Sequence, residues 1–88
     1  MNEAEARKRL SHLVSPEVLA DENKLKIMKL LSVREKCEYE IMFTLNMRDA
    51  PQHLKSLEKE GIVKKRPEGF RMFYSLVNPE IGKILADL

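Results

Sequence analysis

The sequence predicts a mostly α-helical fold carrying one small β-hairpin, an α+β arrangement, on three observations. Residues Asn46 to Gly61, NMRDAPQHLKSLEKEG, put Ala50, Leu54 and Leu57 at four- and three-residue spacing, one narrow apolar stripe of a helix, with Arg48, Gln52, Lys55 and Lys59 on other faces. Beyond the helix-ending Gly61, Ile62 to Arg66 and Phe70 to Leu76 have strand character and flank the turn signal Pro67-Glu68-Gly69. Ser15-Pro16-Glu17 and Asn78-Pro79-Glu80 each combine a capping side chain, a proline suited to the first helical position and an acid beside the positive helix end.

Taken in order, Glu3 to Val14 holds helix formers throughout, with Ala6, Leu10 and Val14 at four-residue spacing and Leu13 beside them. This predicts an amphipathic helix with no neighbour in sequence to cover its short stripe. A second helix starts at the Ser15 cap. Asp21 offers another cap, after which Leu25, Ile27, Met28, Leu30 and Leu31 form a broad core-facing stripe with Lys24, Lys26 and Lys29 outward. Glu38 to Leu45 is a shorter helix whose Ile41, Met42 and Leu45 cover the one before it, with Phe43 and Met47 also packing. A short polar link, Thr44 to Asn46, then leads into the 46–61 stretch and makes a helix-turn-helix.

Pro51 sets the start of that next helix. Five positions inside a helix capped by Asn46 it would lose a backbone bond and clash with the preceding turn, whereas a start at Asp49 or Ala50 puts it harmlessly in the first turn. In the second strand Phe73 and Tyr74 point to opposite faces, one toward the core. The last helix carries Ile81, Ile84, Leu85 and Leu88 on one stripe to the final residue. Two terminal amphipathic helices predict pairing across a twofold axis, a homodimer held by Leu10, Leu13, Val14, Ile81, Ile84, Leu85 and Leu88.

Residues 1–88 are expected to form a single domain with a small core, consistent with stabilisation by a second copy. The net charge of +2 does not by itself identify a nucleic-acid binder, but its distribution is informative. Met47 to Arg71 holds seven basic residues against four acidic ones, while residues 1–46 balance at eight each. Positive charge thus gathers on the helix and hairpin. One cysteine excludes an internal disulfide and fits a reducing interior, no run approaches the ~20 apolar residues of a membrane span, and the acidic start is not a signal peptide. A cytoplasmic protein without membrane association is expected. No phosphate-cradling loop, nucleophile elbow or metal-hydrolase helix occurs, so neither enzymatic activity nor a cofactor is expected.

The stretch Leu19-Ala20-Asp21-Glu22-Asn23-Lys24-Leu25-Lys26-Ile27-Met28-Lys29-Leu30-Leu31 is similar to the LADPTRLRILRLL-type helix of the arsenic-repressor (ArsR) family of winged-helix transcriptional regulators. His53 to Val63 resembles its HLKVLREAGLV segment, and Glu68 to Leu76 its EGRWVYYRL wing, so the likeness runs over residues 15 to 77 in the same order. It implies a winged helix-turn-helix that dimerises through its first and last helices and acts as a transcriptional repressor. Each protomer would place a reading helix, residues 49–60, and a wing, residues 64–71, on a palindromic double-stranded DNA operator. Two departures stand out. Many members sense soft metals through a Cys-x-Cys pair, but Tyr39 follows Cys37 where the second thiolate would be, and the last helix has no His for the family's other common site, so no metal site is expected. Pro51 replaces a small hydroxyl residue common on the reading helix, which alters any carry-over of base contacts.

The candidate DNA-binding residues are Arg48, Gln52, His53, Lys55, Lys64, Lys65, Arg66 and Arg71. Arg pairs with guanine and Gln with adenine through two hydrogen bonds each, while Lys55 and the wing cations neutralise phosphate or enter a minor groove. The plainer reading is a solvated helix face and charge protecting an edge strand. His53, beside core Leu54, is either a packing residue or a phosphate contact. Cys37, near a helix N-terminus that lowers thiol pKa, is the one candidate for redox chemistry, against its ordinary role as a small buried hydrophobe. The alternative function is a winged-helix protein-interaction module docking on an acidic partner, which Asp49, Glu58 and Glu60 on the reading helix keep open.

Overall fold

The computed structural model describes all residues, Met1 to Leu88. In order they form α1 (Glu3–Leu10), α2 (Pro16–Ala20), α3 (Glu22–Leu31), β1 (Lys36–Cys37), α4 (Glu38–Leu45), α5 (Ala50–Lys59), β2 (Val63–Glu68), β3 (Arg71–Leu76) and α6 (Pro79–Ala86). Short polar side chains start four of the six helices by taking up amide groups that lack an intrahelical partner. Asn2 accepts from the Glu5 N–H at 2.8 Å, Ser15 from Val18 at 3.3 Å, and Asn78 from Glu80 at 2.9 Å. Asp21 Oδ1 accepts from both Asn23 and Lys24, at 3.0 and 3.1 Å.

The three strands form an antiparallel sheet in the order β1-β3-β2. Its centre holds Lys36 against Tyr74 and Cys37 against Phe73 on one side, and the β2–β3 hairpin on the other. Buried side chains from α1, α3, α4, α5, α6 and the root of the hairpin make one core, in which Ile27, Met28, Ile41, Leu54 and Leu57 are fully enclosed. Burying such side chains contributes roughly 1.5–3 kcal/mol each. Their position beneath α5 and the hairpin fixes the angle between the two.

Several expectations need correction. The first helix ends at Leu10, not Val14: the chain tightens, with Leu13 N–H donating to Leu10 O at 2.8 Å. Pro16 disfavours helical geometry at Ser15, so the chain turns before it, and Val14 still reaches the core at 8% exposure. The hairpin turn is Gly69-Phe70 rather than Pro67 to Gly69, because β2 runs on through Pro67 and Glu68, which pair with Met72 and Arg71. Gly69 has φ +61°, which a two-residue turn asks of its first residue, and Pro67 is tolerated because β2 is an edge strand. Phe43 does not pack. It is 83% exposed, since two positions beyond buried Ile41 lies the far side of α4, whereas Met47 is buried as expected. Lys24 is half-buried beside Asp21, at 3.8 Å, instead of pointing outward.

The terminal helices are corrected in a different way. α6 packs on α1 and α3 of the same chain, which encloses Leu10, Ile81, Ile84 and Leu85 to 2% exposure or less. These four, with Val14, belong to the protomer's own core, and the helix stops at Ala86. Of the residues expected at a dimer interface, Leu13 and Leu88 remain exposed, at 36% and 41%. An open groove of about 430 Å³ beside Leu88 is lined by Leu10, Leu25 and Leu85 with Arg7, Lys26 and Lys29.

Candidate nucleic-acid interface

α4 and α5 form the helix-turn-helix. Asn46 ends α4 in the left-handed conformation, φ 49° and ψ 50°, which asparagine tolerates better than most residues. Met47 then drops into the core and donates its N–H to Met42 O at 3.0 Å. Arg48 and Asp49 complete the turn, and α5 begins at Ala50 with Pro51 in its first turn, the later of the two starts considered. Asn46 is thus a terminator of α4 and not the cap of α5. Glu60 and Gly61, with φ +77° at the glycine, close the helix before β2.

α5 has two unlike faces. Ala50, Leu54 and Leu57 are all at 0% exposure. At 100° per residue Gln52, Lys55 and Lys59 fall on the opposite side, Arg48 lies in the turn just before the helix, and all four are exposed. The acids of this segment are turned back onto the chain. Asp49 Oδ2 lies 3.0 Å from His53 Nε2, Glu58 Oε1 lies 3.5 Å from Lys65 Nζ, and Glu60 accepts a 2.9 Å hydrogen bond from the Ser15 hydroxyl. No carboxylate is within ion-pair distance of Arg48, Lys55 or Lys59. The outer stripe therefore offers cations and one amide.

The wing is organised differently. Arg66 grips Glu35 with two hydrogen bonds, Nη2 to Oε1 at 2.7 Å and Nε to Oε2 at 3.2 Å. It also donates to Glu68 at 2.9 Å and lies over the Phe73 ring, 5.0 Å from its centroid. Its hydrogen bond, reinforced by the charges of Arg66 and Lys64 against a desolvation effect, holds the Glu35 carboxyl below its ordinary pKa. The hydrogen bonds that Arg66 donates to Glu35 and Glu68 raise its own pKa. Lys64 and Arg71 are exposed and form no ion pair, although the charge of Lys64 is felt by Glu35.

Of the eight candidate DNA-binding residues, five present free polar heads: Arg48, Gln52, Lys55, Lys64 and Arg71. His53 is half-buried, with its side chain 18% exposed, Nε2 3.0 Å from Asp49 Oδ2 and Nδ1 4.0 Å from Asp21 Oδ2, so it lies between the starts of α5 and α3. Lys65 and Arg66 are engaged by acids. Lys59 shares the exposed face of Lys55, and its four-residue spacing from Lys55 was the available signal. Nothing local marked Glu35 as the wing's clamp, since it lies 31 residues from Arg66 in sequence. Cys37 is the N-cap residue of α4, paired with Phe73 across the sheet and 9% exposed, without a side-chain capping bond. No group of three or more His, Cys, Asp or Glu is disposed to hold a metal ion. No helix is long and apolar enough to cross a membrane.

A helix seated by its apolar stripe, preceded by a tight turn from a supporting helix and followed by a hairpin, defines a winged helix-turn-helix. The family model described as bacterial regulatory protein, arsR family, matches residues 21–65, from the Asp21 cap to Lys65 of the wing. The chain belongs to that family and is a DNA-binding transcriptional regulator. Among solved structures it is similar to the transcriptional regulator HlyU from Vibrio vulnificus CMCP6, with 25% identity, a TM-score of 0.74, and coverage of 97% of this chain and 92% of that one. It shares its fold with the homodimeric winged helix-turn-helix DNA-binding domain of Mb0332 from Mycobacterium bovis, at 24% identity, TM-score 0.74, and 98% and 82% coverage. It also shares the fold of the transcriptional repressor BigR from Xylella fastidiosa, at 21% identity, TM-score 0.76, and 100% and 93% coverage.

Proposed function

We propose that this chain is a one-domain, homodimeric cytoplasmic repressor, not an enzyme, that reads a palindromic operator. α5 enters the major groove and the wing meets the flanking stretch of duplex. The carrying observation is the outer side of the turn and α5, where Arg48, Gln52, Lys55 and Lys59 are exposed while Asp49, Glu58 and Glu60 each face a partner within the chain. Arg48 and Gln52 are the base readers, and Lys55, Lys59, Lys64 and Arg71 neutralise phosphates. The homodimeric assembly of the Mb0332 domain and the repressor role of BigR support the dimer and the sign of regulation. In that dimer, exposed Leu13 and Leu88 and the groove beside Leu88 meet the second copy, while Leu10, Val14, Ile81, Ile84 and Leu85 shape its support from within.

With those acids occupied, the free cations would also suit an acidic protein partner, and binding to duplex DNA separates the two roles. The test is selection from a randomised duplex library at two salt concentrations, with the mass of the bound species determined alongside. An enriched inverted repeat bound by a dimer, half-sites about one helical turn apart, is expected. Failure to retain any duplex at low salt would overturn the proposal and leave the protein-interaction role in its place.

A further inference from the structure

Phe70 is the most exposed large apolar side chain in the molecule, at 106% of its reference exposure. It is the second residue of the β2–β3 turn, directly after Gly69 with φ +61°. Turn positions usually carry Gly, Asn, Asp or Ser, which relieve backbone strain or hydrogen-bond locally, and a phenyl ring does neither. The hairpin nonetheless holds this ring outward. β1 pairs with β3 only at Phe73 and Tyr74, so the Pro67–Met72 and Glu68–Arg71 pairs project about 7 Å past the third strand. Of the charges at this tip, Glu68 is bound to Arg66 at 2.9 Å, while Arg71 is exposed without an acid partner. The tip thus presents one aromatic ring beside one free cation.

We propose that Phe70 is an apolar wedge that enters the minor groove next to the major groove occupied by α5, and parts a base-pair step there while Arg71 holds the adjoining backbone. The inference rests on the DNA-reading function proposed above. A phenyl ring offers nothing to a phosphate, so on duplex DNA its gain must come from the face of a base. Minor-groove proteins insert Phe, Leu, Ile or Met between steps in this way, unstacking and kinking the duplex. Arg71 supplies an attraction to the polyanion that an apolar protein patch would not reward, which favours DNA as the occupant. Pyrimidine–purine steps are the easiest to unstack, so the operator should carry TA or CA/TG beneath the wing, at a position contacted by no hydrogen-bonding side chain.

The experiment uses the full chain and the duplex enriched by library selection, with 2-aminopurine placed at the step beneath the wing. Wild type, Phe70→Ala and Phe70→Leu are compared by fluorescence anisotropy and by 2-aminopurine emission. Phe70→Ala should weaken binding about ten-fold, the scale of one lost base–aromatic stack, without changing the salt slope, because no charge is removed. Phe70→Leu should retain most of the affinity. Emission should rise on binding of wild type and Phe70→Leu but not of Phe70→Ala. Since the ring packs against nothing, all three should share one thermal midpoint. If Phe70→Ala binds within two-fold of wild type, or the wild-type complex leaves the 2-aminopurine quenched, the wedge is wrong while DNA reading stands. If wild type enriches no duplex at low salt, DNA reading itself fails and the wedge with it.

Discussion

The reading segment, residues 48–60, balances three cations with three acids, and the wing, residues 63–71, sets four cations against one acid, yet their charges are disposed in different ways. In the reading segment the cations Arg48, Lys55 and Lys59 stand free, and the acids bind His53, Lys65 and Ser15. On the wing only Lys64 and Arg71 are left without an ion pair, because Arg66 is held by Glu35 and Glu68, and Lys65 by Glu58. A free cation that meets a phosphate releases counterions from the duplex, which is where most non-specific affinity comes from. A cation already paired must exchange one anion for another and gains little. Free cations and cations held within the chain thus occur side by side on the wing, a distinction that charge counting misses.

The largest effect breaks both regions together. Leu54 is fully enclosed beneath α5, so Leu54→Ala should destabilise the fold by about 2–5 kcal/mol, measured by urea unfolding. Less drastic changes on the outer stripe leave the fold alone. Arg48→Ala and Gln52→Ala should each cost ~1–3 kcal/mol on the selected operator and little on random duplex, with unchanged unfolding midpoints. Equal loss on both duplexes would make these residues backbone contacts, and the reader assignment would then be wrong. The sharpest comparison within the wing is between neighbours. Lys64→Ala should lower the salt slope by about 0.9, the share of one phosphate, while Lys65→Ala should lower it by distinctly less because Glu58 already holds that amine. Identical slopes would erase the distinction between free and clamped cations.

How much of this was legible in sequence depended on the range of the interaction concerned. Local signals were sufficient for the Ser15, Asp21 and Asn78 caps, for the start of α5 forced by Pro51, and for the stripe of Ala50, Leu54 and Leu57. β1 was invisible because two residues carry no periodicity, and its pairing with Phe73 and Tyr74 comes from far along the chain. An amphipathic stripe announces that something covers it without saying which chain does. Ile81, Ile84 and Leu85 were accordingly expected at a dimer interface and are consumed by α1 and α3 of their own protomer. Lys65 and Arg66 looked like DNA contacts for the same reason, since Glu58 and Glu35 reach them only through the tertiary fold.

The smallest expected effect tests the clamp itself. Arg66 holds the Glu35 carboxyl below its ordinary pKa, so the clamp contributes its full share above the unfolded value of about 4.3 and loses it as pH falls through the lower folded value. Both partners are largely solvated, and such pairs contribute little to global stability, so the readout must be local. The Arg66 Nε–H resonance is suited to this. It should stay constant from pH 7 to about 5, then move toward its position in Glu35→Gln as the carboxylate is protonated. Glu35→Gln should show no comparable shift in that acidic range attributable to residue 35. At neutral pH the same substitution frees one guanidinium edge on the wing, and should raise the salt slope of random-duplex binding by up to about 0.9. A wild-type Arg66 resonance already identical to that of Glu35→Gln at pH 7 would mean that no clamp exists in solution, and the wing would then have to count as a second free cationic surface alongside α5.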